Sequence, residues 1–257
     1  MARKPRSYRV EAIVLRHSDW GEADRIVTSF TREKGKLRAV AKGARKMRSR
    51  KAGHLEPFTR VSLLLAVGRS MHIITQAESL EAFLDLREDL TLIGYASSMA
   101  ELTDRFTIEE EENHSLFRLL GNSLRRLDEG VDPQLATRYF EIRLLDLMGF
   151  RPNLTECVER GEEIQPEDQF ISAAIGGVVC PRCAPKVRGL RPISMQALKY
   201  LRHFQRSSFA EAERAQISPE IYRELEMIMD HYLTYLLERK LNSPVFIREV
   251  RPQEDPE

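Results

Sequence analysis

Cysteine is scarce in this chain of 257 residues, which contains only three. So small and odd a number excludes a disulfide framework of the secreted type and favours a reducing compartment such as the cytoplasm. No apolar run approaches the roughly 18 residues that a membrane helix needs. The first ten residues, MARKPRSYRV, are basic with no apolar segment behind them, so we expect no secretory signal.

Sequence motifs of nucleotide hydrolysis, dinucleotide binding and nucleophilic hydrolysis are also missing. The chain has no GxxxxGK[ST], GxGxxG or GxSxG, and its six histidines show no HExxH spacing. The run Glu109 to Glu112 could serve a metal-dependent nuclease, but consecutive carboxylates point in different directions, which favours a solvated acidic turn. We therefore predict no enzymatic activity and keep the nuclease as an alternative.

Net charge is nearly absent, at +1, which at first argues against a nucleic-acid-binding protein. The sum hides an asymmetry. Residues 1–53 contain 16 basic and 5 acidic side chains, a net charge of +11, and the remaining 204 residues contain 24 basic and 34 acidic ones, a net charge of −10. This division indicates one segment that attracts polyanions and another that does not.

Acidic residues are completely missing from residues 34–51. Basic side chains bind phosphate backbones because each neutralised phosphate releases condensed counterions. We predict that this stretch binds nucleic acid without sequence-specific readout, since no recognition-helix or finger spacing is present. The predicted contacts are its nine cations: Lys34, Lys36, Arg38, Lys42, Arg45, Lys46, Arg48, Arg50 and Lys51.

The first eighty residues show the pattern of short β-strands. Five such strands with no helical period between them favour an oligonucleotide-binding (OB) barrel, and a five-stranded sandwich fragment is the competing fold. Trp20, the single tryptophan, falls in the predicted loop after the first strand, where it could stack on a base or simply pack. The predicted strands are Tyr8–His17, Arg25–Thr31, Lys36–Lys42, Phe58–Val67 and Met71–Ala77.

From about residue 81 apolar residues recur every three or four positions, as in helices. Asn113, Asp132 with Pro133, and Ser218 with Pro219 are predicted helix starts, and Gly149 is a predicted stop. Residues 151–192 show no lasting period and are interpreted as an irregular insert. The sequence thus predicts an α+β multidomain protein: an OB barrel at 1–80, a helical domain at 81–250 and a flexible tail at 251–257.

All three cysteines lie in that insert. Cys180-Pro-Arg-Cys183 has the spacing of a zinc knuckle, and Cys157 offers a third thiolate. The position expected for a fourth cysteine holds Arg160, which cannot bind a metal. We therefore keep open a structural zinc and an empty, vestigial knuckle, with no organic cofactor in either case. Four nearby carboxylates could complete the zinc shell: Glu159, Glu162, Glu163 and Asp168.

The order and spacing of several short motifs resemble the RecO family of bacterial recombination mediators. The matches span about Tyr8 to Val250. In the N-terminal part they are Glu22 and Asp24, Phe30-Thr31 with Gly35, Ala41-Lys-Gly-Ala-Arg45 and Leu55-Glu-Pro-Phe58. In the C-terminal part they are Arg138-Tyr-Phe-Glu141, Leu144-Leu145, Gly149-Phe150, Pro152, Cys157 and Gly176-Gly-Val-Val-Cys180-x-x-Cys183.

The resemblance implies a DNA-binding OB barrel followed by a helical domain with a zinc-knuckle-like insert. It also implies binding of single- and double-stranded DNA, annealing of complementary strands and help in loading recombinase onto coated single strands. RecR and single-strand-binding protein are the implied partners, and the nucleoid the implied location. An RNA-binding barrel protein of translation or ribosome assembly is the alternative among binding proteins.

Overall fold

The computed structural model describes residues 6–238 and 241–250. Contacts between residues group the chain into two compact units: Met1–Gly130 together with Phe246–Glu257, and Val131–Val245. The predicted tail at 251–257 lies outside the described residues. The first compact unit runs on to Gly130, so the grouping by contacts does not separate the barrel from the helices that follow it. The predicted domain division after residue 80 stays a prediction.

Five strands of the first unit close into a barrel in the order β1-β2-β3-β5-β4. The β3–β5 pair is parallel and the other pairs are antiparallel. This arrangement is the five-stranded Greek-key barrel of the OB fold, as predicted. The strands are β1 (Ser7–Trp20), β2 (Asp24–Thr31), β3 (Gly35–Ala41), β4 (Arg60–Ala66) and β5 (His72–Glu81).

Aliphatic side chains fill the barrel, among them Val14, Leu37 and Leu63. The predicted strands alternated only imperfectly because β1 and β2 are buried on both faces. Ile13 and Phe30 are fully buried yet point away from the barrel interior, towards the helices that follow. A strand covered on both sides loses the regular alternation of apolar and polar residues.

Three helices follow the barrel in the first unit: α1 (Leu84–Glu88), α2 (Leu90–Phe106) and α3 (His114–Asp128). The predicted cap Asn113 accepts a hydrogen bond from the backbone N–H of Leu116. Phe117 of α3 packs 6.4 Å from the Phe30 ring of β2, centroid to centroid. These contacts explain why the compact unit extends past the barrel.

The second unit is mainly helical. Its elements include α4 (Pro133–Leu147), α5 (Met195–Arg206), α6 (Phe209–Ala212) and α7 (Pro219–Leu237). The last helix, α8 (Ser243–Val250), belongs to the first unit from Phe246 onwards. The Asp132 carboxylate caps α4, and Gly149 follows its end with a φ of +80°, as the sequence predicts. None of the helices in the described ranges is long and apolar enough to cross a bilayer.

The cysteine-containing insert differs from its prediction as an irregular segment. It includes a three-stranded antiparallel sheet in the order β7-β6-β8. The strands are β6 (Gln169–Ser172), β7 (Gly177–Val179) and β8 (Arg191–Ile193). Segments of three or four residues are too short to show a period in the sequence, so this sheet could not be predicted.

Candidate nucleic-acid interface and cysteine cluster

The connection from β3 to β4 begins with a basic loop, which we define as residues 42–51. Two hydrogen bonds fasten it to the β1–β2 turn: the Gly43 N–H donates to Asp24 Oδ1 at 2.7 Å, and the Arg45 N–H donates to the Ala23 carbonyl at 2.9 Å. Gly43 has a φ of +65°, a conformation that glycine adopts at little cost. The loop is therefore held against the barrel at its start.

Three of the nine predicted DNA contacts are engaged within the protein. Lys36 Nζ, on a side chain only 14% exposed, contacts the Asp104 carbonyl at 2.5 Å and its carboxylate at 3.3 Å. Arg45 Nε lies 3.2 Å from Asp19 Oδ2, and its Nη1 donates to the carbonyl of Gly21. Lys51 Nζ donates to the Ile74 carbonyl, and desolvation lowers the pKa of this amine. These three side chains hold the loop and strand in place.

The other six cations are exposed at the surface and make no side-chain hydrogen bond or ion pair within the described residues. Like charges gathered on one strand and its adjoining loops repel one another and leave a positive potential over the surface. A polyanion would relieve that repulsion. The six are Lys34, Arg38, Lys42, Lys46, Arg48 and Arg50.

Trp20 lies at the end of β1, not in the loop where the sequence predicted it. Its side chain is 58% exposed, so packing into the barrel core does not account for it. Its chain neighbours Asp19 and Gly21 both contact Arg45. A large exposed aromatic ring thus stands at the corner where the basic loop is fastened. Phe30 and Phe58, by contrast, are buried.

The acidic turn Glu109 to Glu112 flanks the first residues of β3. The Glu110 N–H donates to the Lys36 carbonyl at 2.9 Å, and a Cβ at Gly35 would lie only 1.7 Å from the Glu111 carbonyl oxygen. Only glycine fits at residue 35 for this reason. The Glu110 carboxylate is exposed and lies 3.9 Å from His72 Nε2. The turn thus belongs to the flank of the barrel.

A cleft of about 330 Å³ opens between this turn, β3 and the β4–β5 connection. Arg38 lines it together with Arg69, an exposed residue of that connection which the sequence analysis did not single out. Arg69 stands outside the cation-rich stretch, so charge density along the chain could not reveal it. Its position in the turn between the fourth and fifth strands could have indicated it, because loops of OB barrels contribute to oligonucleotide binding.

Glu56, in the Leu55-Glu-Pro-Phe58 motif, anchors the far end of the β3–β4 connection. Its carboxylate accepts a hydrogen bond from Arg25 at 2.9 Å and lies 3.3 Å from His17 Nε2. Burial by itself raises the pKa of Glu56, but the hydrogen bonds and positive charge of Arg25 and His17 outweigh it and lower the pKa. The motif therefore serves the geometry of the barrel.

The three cysteines come together in the second unit. Their sulfur atoms all lie within 4.8 Å of one another, with Cys157 and Cys183 buried and Cys180 half-buried. The Cys180 N–H donates to Cys157 Sγ at 3.4 Å. Desolvation opposes ionisation of Cys157, but this bond and those from the N–H groups of Glu159 and Arg160 lower its pKa. Such N–H···S bonds prepare a sulfur for thiolate ligation.

Arg160 does not complete the cysteine cluster, because a guanidinium cation cannot bind a metal; its side chain pairs with Glu162 at 2.7 Å. Desolvation, together with the two neighbouring sulfurs, raises the pKa of Cys183 to about 11. Three crowded thiols cannot all ionise without a nearby cation. The cluster fits a metal ion through three sulfurs, and no fourth ligand joins them among the described residues. The four predicted carboxylate ligands do not join this cluster: Glu159, Glu162, Glu163 and Asp168.

Comparison with known proteins finds a family model that matches most of each unit. Residues 4–83 match the family model "Recombination protein O N terminal", and residues 87–244 match "Recombination protein O C terminal". The chain belongs to the RecO family. It is 44% identical over 248 residues to the DNA repair protein RecO of Roseiflexus sp. (strain RS-1), which covers 96% of this chain and 87% of the relative.

Other relatives are also similar to this chain along nearly their whole length. The DNA repair protein RecO of Dehalococcoides mccartyi (strain CBDB1) is 35% identical over 248 residues, covering 96% of this chain and 98% of the relative. That of Bacillus pumilus (strain SAFR-032) is 35% identical over 241 residues, covering 93% of each. The two RecO family models meet between residues 83 and 87, directly after β5.

Proposed function

We propose that this chain binds single- and double-stranded DNA through the basic loop and β3, anneals complementary strands, and helps load recombinase onto single strands coated by single-strand-binding protein. RecR and single-strand-binding protein are its proposed partners, and nucleoid DNA in the cytoplasm is its proposed location. The observation that carries the proposal is the set of six exposed cations, without side-chain partners among the described residues, on an OB barrel of the RecO family.

Annealing needs no catalytic residue under this proposal. Two complementary strands repel each other, and a basic surface reduces that repulsion by replacing the condensed counterions of each phosphate it contacts. The engaged cations Lys36, Arg45 and Lys51 keep β3 and the loop in place, while the free ones bind phosphates. A surface that is already ordered loses less conformational entropy when it binds.

Trp20 supports single-strand binding in particular. Base stacking on an aromatic ring is available to an unpaired base and not to one inside a duplex. The exposed ring lies next to residues that contact Arg45, so a strand held by the basic loop passes close to it. We therefore assign Trp20 to base stacking and the six cations to the phosphates.

The test reverses four free charges of the loop in one variant, Lys42→Glu/Lys46→Glu/Arg48→Glu/Arg50→Glu. We expect its affinity for a labelled single strand to fall at least about a thousandfold at low salt, because four phosphate contacts become repulsive. Strand annealing, followed by fluorescence transfer between labelled strands, should be lost with it. Arg45 is left unchanged because it fastens the loop.

A matched control reverses four exposed cations elsewhere: Arg118→Glu/Lys199→Glu/Arg214→Glu/Arg223→Glu. It changes the net charge equally and should keep most of the binding and annealing. Equal losses in both variants would reduce the proposal to a general charge effect. Tighter binding of RNA than of DNA of matched sequence would favour the RNA-binding alternative. Cleavage of a labelled duplex with magnesium or manganese would favour the nuclease alternative.

We further propose one structural zinc ion held by Cys157, Cys180 and Cys183. A bound zinc would tie the turn at Cys157 to the Cys180–Cys183 turn and so order the insert. Elemental analysis of the purified chain should give one zinc per chain, and Cys157→Ser should abolish it. Ser194→Ala, outside the cluster, is the control. A metal-free wild-type chain with three titratable thiols would overturn this assignment.

A further inference from the structure

A pocket in the second unit is lined by three arginines from two segments of the sequence. Its volume is about 340 Å³, and Arg151, Arg202 and Arg206 line it together with Asn153 and Thr155. Arg151 follows α4, whereas the other two arginines lie one helical turn apart in the last part of α5. We call it the arginine pocket.

The walls of the arginine pocket are held by side chains of α5. Arg202 Nε donates to the Leu154 carbonyl at 2.6 Å, and the buried Gln205 donates through Nε2 to the Pro152 carbonyl at 3.0 Å. Both bonds fix residues 152–154 against the helix. The pocket is therefore built by specific contacts and does not depend on a loose surface loop.

Positive charge in the pocket is poorly compensated. Arg151 Nη1 pairs with the Asp146 carboxylate at 3.1 Å, but Arg202 and Arg206 make no ion pair within the described residues. Desolvation, and then the charge of Arg206, lower the pKa of Arg202, while Glu163 acts in the opposite direction. The helix C-terminus favours a cation at Arg206. Arg206 Nε also donates to the Arg202 carbonyl at 3.3 Å. Neither contact accounts for a third arginine, from another segment, in the lining of the same pocket.

The chemistry that fits three arginines lining one pocket is a phosphate. Each guanidinium presents a planar set of N–H donors that matches two oxygens of one phosphate, and charge-assisted bonds of this kind are the strong ones. The pocket offers polar side chains and backbone, and the apolar Leu154 that borders it is itself buried.

We propose that the arginine pocket binds a backbone phosphate of a nucleic-acid strand, which gives the chain a phosphate site in its second unit as well as on the barrel. This inference rests on the proposed DNA-binding function for the identity of the strand. It adds to that function, since annealing requires contacts with two polyanions. The basic loop and the arginine pocket are separate sites that separate substitutions can remove.

The first experiment uses tripolyphosphate and does not depend on DNA binding. The background is the full chain with the four loop charges reversed, so that the barrel does not bind the probe. Tripolyphosphate at ten times its Kd should raise the Tm of this chain by roughly 3 °C. Adding Arg151→Ala/Arg206→Ala should abolish the rise. These two substitutions leave the wall bond of Arg202 intact, as Arg202→Ala would not.

The matched control adds Lys199→Ala/Arg214→Ala to the same background, with the same loss of charge from exposed positions outside the pocket. It should keep the full rise in Tm. A rise that persists in the Arg151→Ala/Arg206→Ala chain, or that never occurs in the background chain, would overturn the assignment. So would stabilisation by an acidic peptide with a free carboxyl terminus and none by tripolyphosphate.

The second experiment tests the nucleic-acid identity with the barrel intact. Arg151→Ala/Arg206→Ala should lower single-strand affinity about tenfold and make the plot of log Kd against log salt shallower by about 0.7 for each phosphate lost. Lys199→Ala/Arg214→Ala should do neither. Failure of the wild-type chain to bind DNA, together with a rise in the Tm of the loop-reversed chain on adding tripolyphosphate, would refute the proposed function and leave the phosphate site standing.

Discussion

An arginine beside a carboxylate occurs in both compact units, at the surface of one and in the interior of the other. On the barrel, Arg45 Nε lies 3.2 Å from Asp19, with the two side chains 37% and 57% exposed. Between the helices of the second unit, Arg138 Nη1 lies 2.9 Å from Glu141 Oε2, with exposures of 9% and 4%. The two ion pairs are chemically the same. Their consequences differ because the first pair is in contact with water and the second is buried.

Water screens the exposed pair, which therefore adds at most about 1 kcal/mol to stability. Its consequence is geometrical, since it holds the basic loop against the β1–β2 turn. The buried pair has lost its hydration, and Glu141 Oε2 has no well-aligned hydrogen bond from Arg138 despite the short distance. Desolvation is the largest effect on Glu141, and with the charges of Glu226 and Asp230 it outweighs Arg138 and raises the pKa to about 7.

The largest expected effect on stability comes from breaking the buried pair. Arg138→Ala should destabilise the chain by about 3–5 kcal/mol, because it removes a buried side chain and leaves Glu141 without its compensating charge. Urea unfolding followed by circular dichroism measures the change. Arg45→Ala is the comparison and should cost no more than about 1 kcal/mol. Equal losses from the two substitutions would contradict the comparison.

Stability should also depend on pH through Glu141. Its pKa is about 7 in the folded chain and 4.5 as the ordinary value, so the folded state binds the extra proton between these values. The contribution of Glu141 to the free energy of unfolding is therefore largest below pH 4.5. This contribution falls by roughly 3 kcal/mol as the pH rises from 4.5 through 7. The difference between wild type and Glu141→Gln, measured from pH 4.5 to 8, isolates this contribution.

His231 also makes the stability of the chain depend on pH. Desolvation lowers its pKa, so its contribution to stability rises with pH and has the opposite sign. It cancels when the two chains are compared at each pH. A difference curve with no slope between pH 4.5 and 7 would show that Glu141 has an ordinary pKa in the folded chain.

On the barrel, substitution of Trp20 should change binding and leave stability alone. Trp20→Ala should weaken single-strand binding about tenfold, because one stacked base contributes roughly 1–3 kcal/mol, and duplex binding should change little. Trp20 is the only tryptophan, so its fluorescence in the wild-type chain reports on this one position. Trp20→Phe should retain part of the affinity. Fluorescence that stays constant on saturation with oligothymidylate would exclude stacking.

The smallest effect is expected from loosening the loop. Asp24→Ala removes the acceptor for the Gly43 N–H and should cost about 1 kcal/mol of stability. Single-strand affinity should fall about threefold, since a less ordered loop loses more entropy on binding. Fluorescence anisotropy and urea unfolding measure the two effects. Asp19→Asn, which keeps a polar partner for Arg45, should have a weaker effect on both.

Much of the fold could be predicted from local pattern. The five strands and four of the helix starts or stops follow from β-branched runs, turn residues and capping side chains, all of which act within a few residues. The helix α5 and the small sheet β6–β8 were missed. The sheet strands are too short to show a period, and α5 is embedded in a region dominated by turn residues.

The sequence predicted the candidate site as a run of neighbouring residues. It did not predict which of their side chains are exposed on the surface. The charge count finds residues 34–51 but cannot tell Lys46, which is free, from Lys36, which is bound to Asp104 from another element. For the same reason it cannot show that Trp20 is exposed. The arginine pocket had only a weak signal, two arginines four residues apart on one helix.

What the sequence by itself determined is the family, the five strands of the barrel with several helix boundaries, and the segment on which positive charge accumulates. These depend on residue type and short spacing. Tertiary structure decided which cations are free, that three cysteines separated by up to 26 positions share one cluster, and that Glu141 is buried. Burial and partnership are set by residues distant in the chain, because solvent access and hydrogen bonding depend on what packs nearby and not on what precedes or follows in sequence.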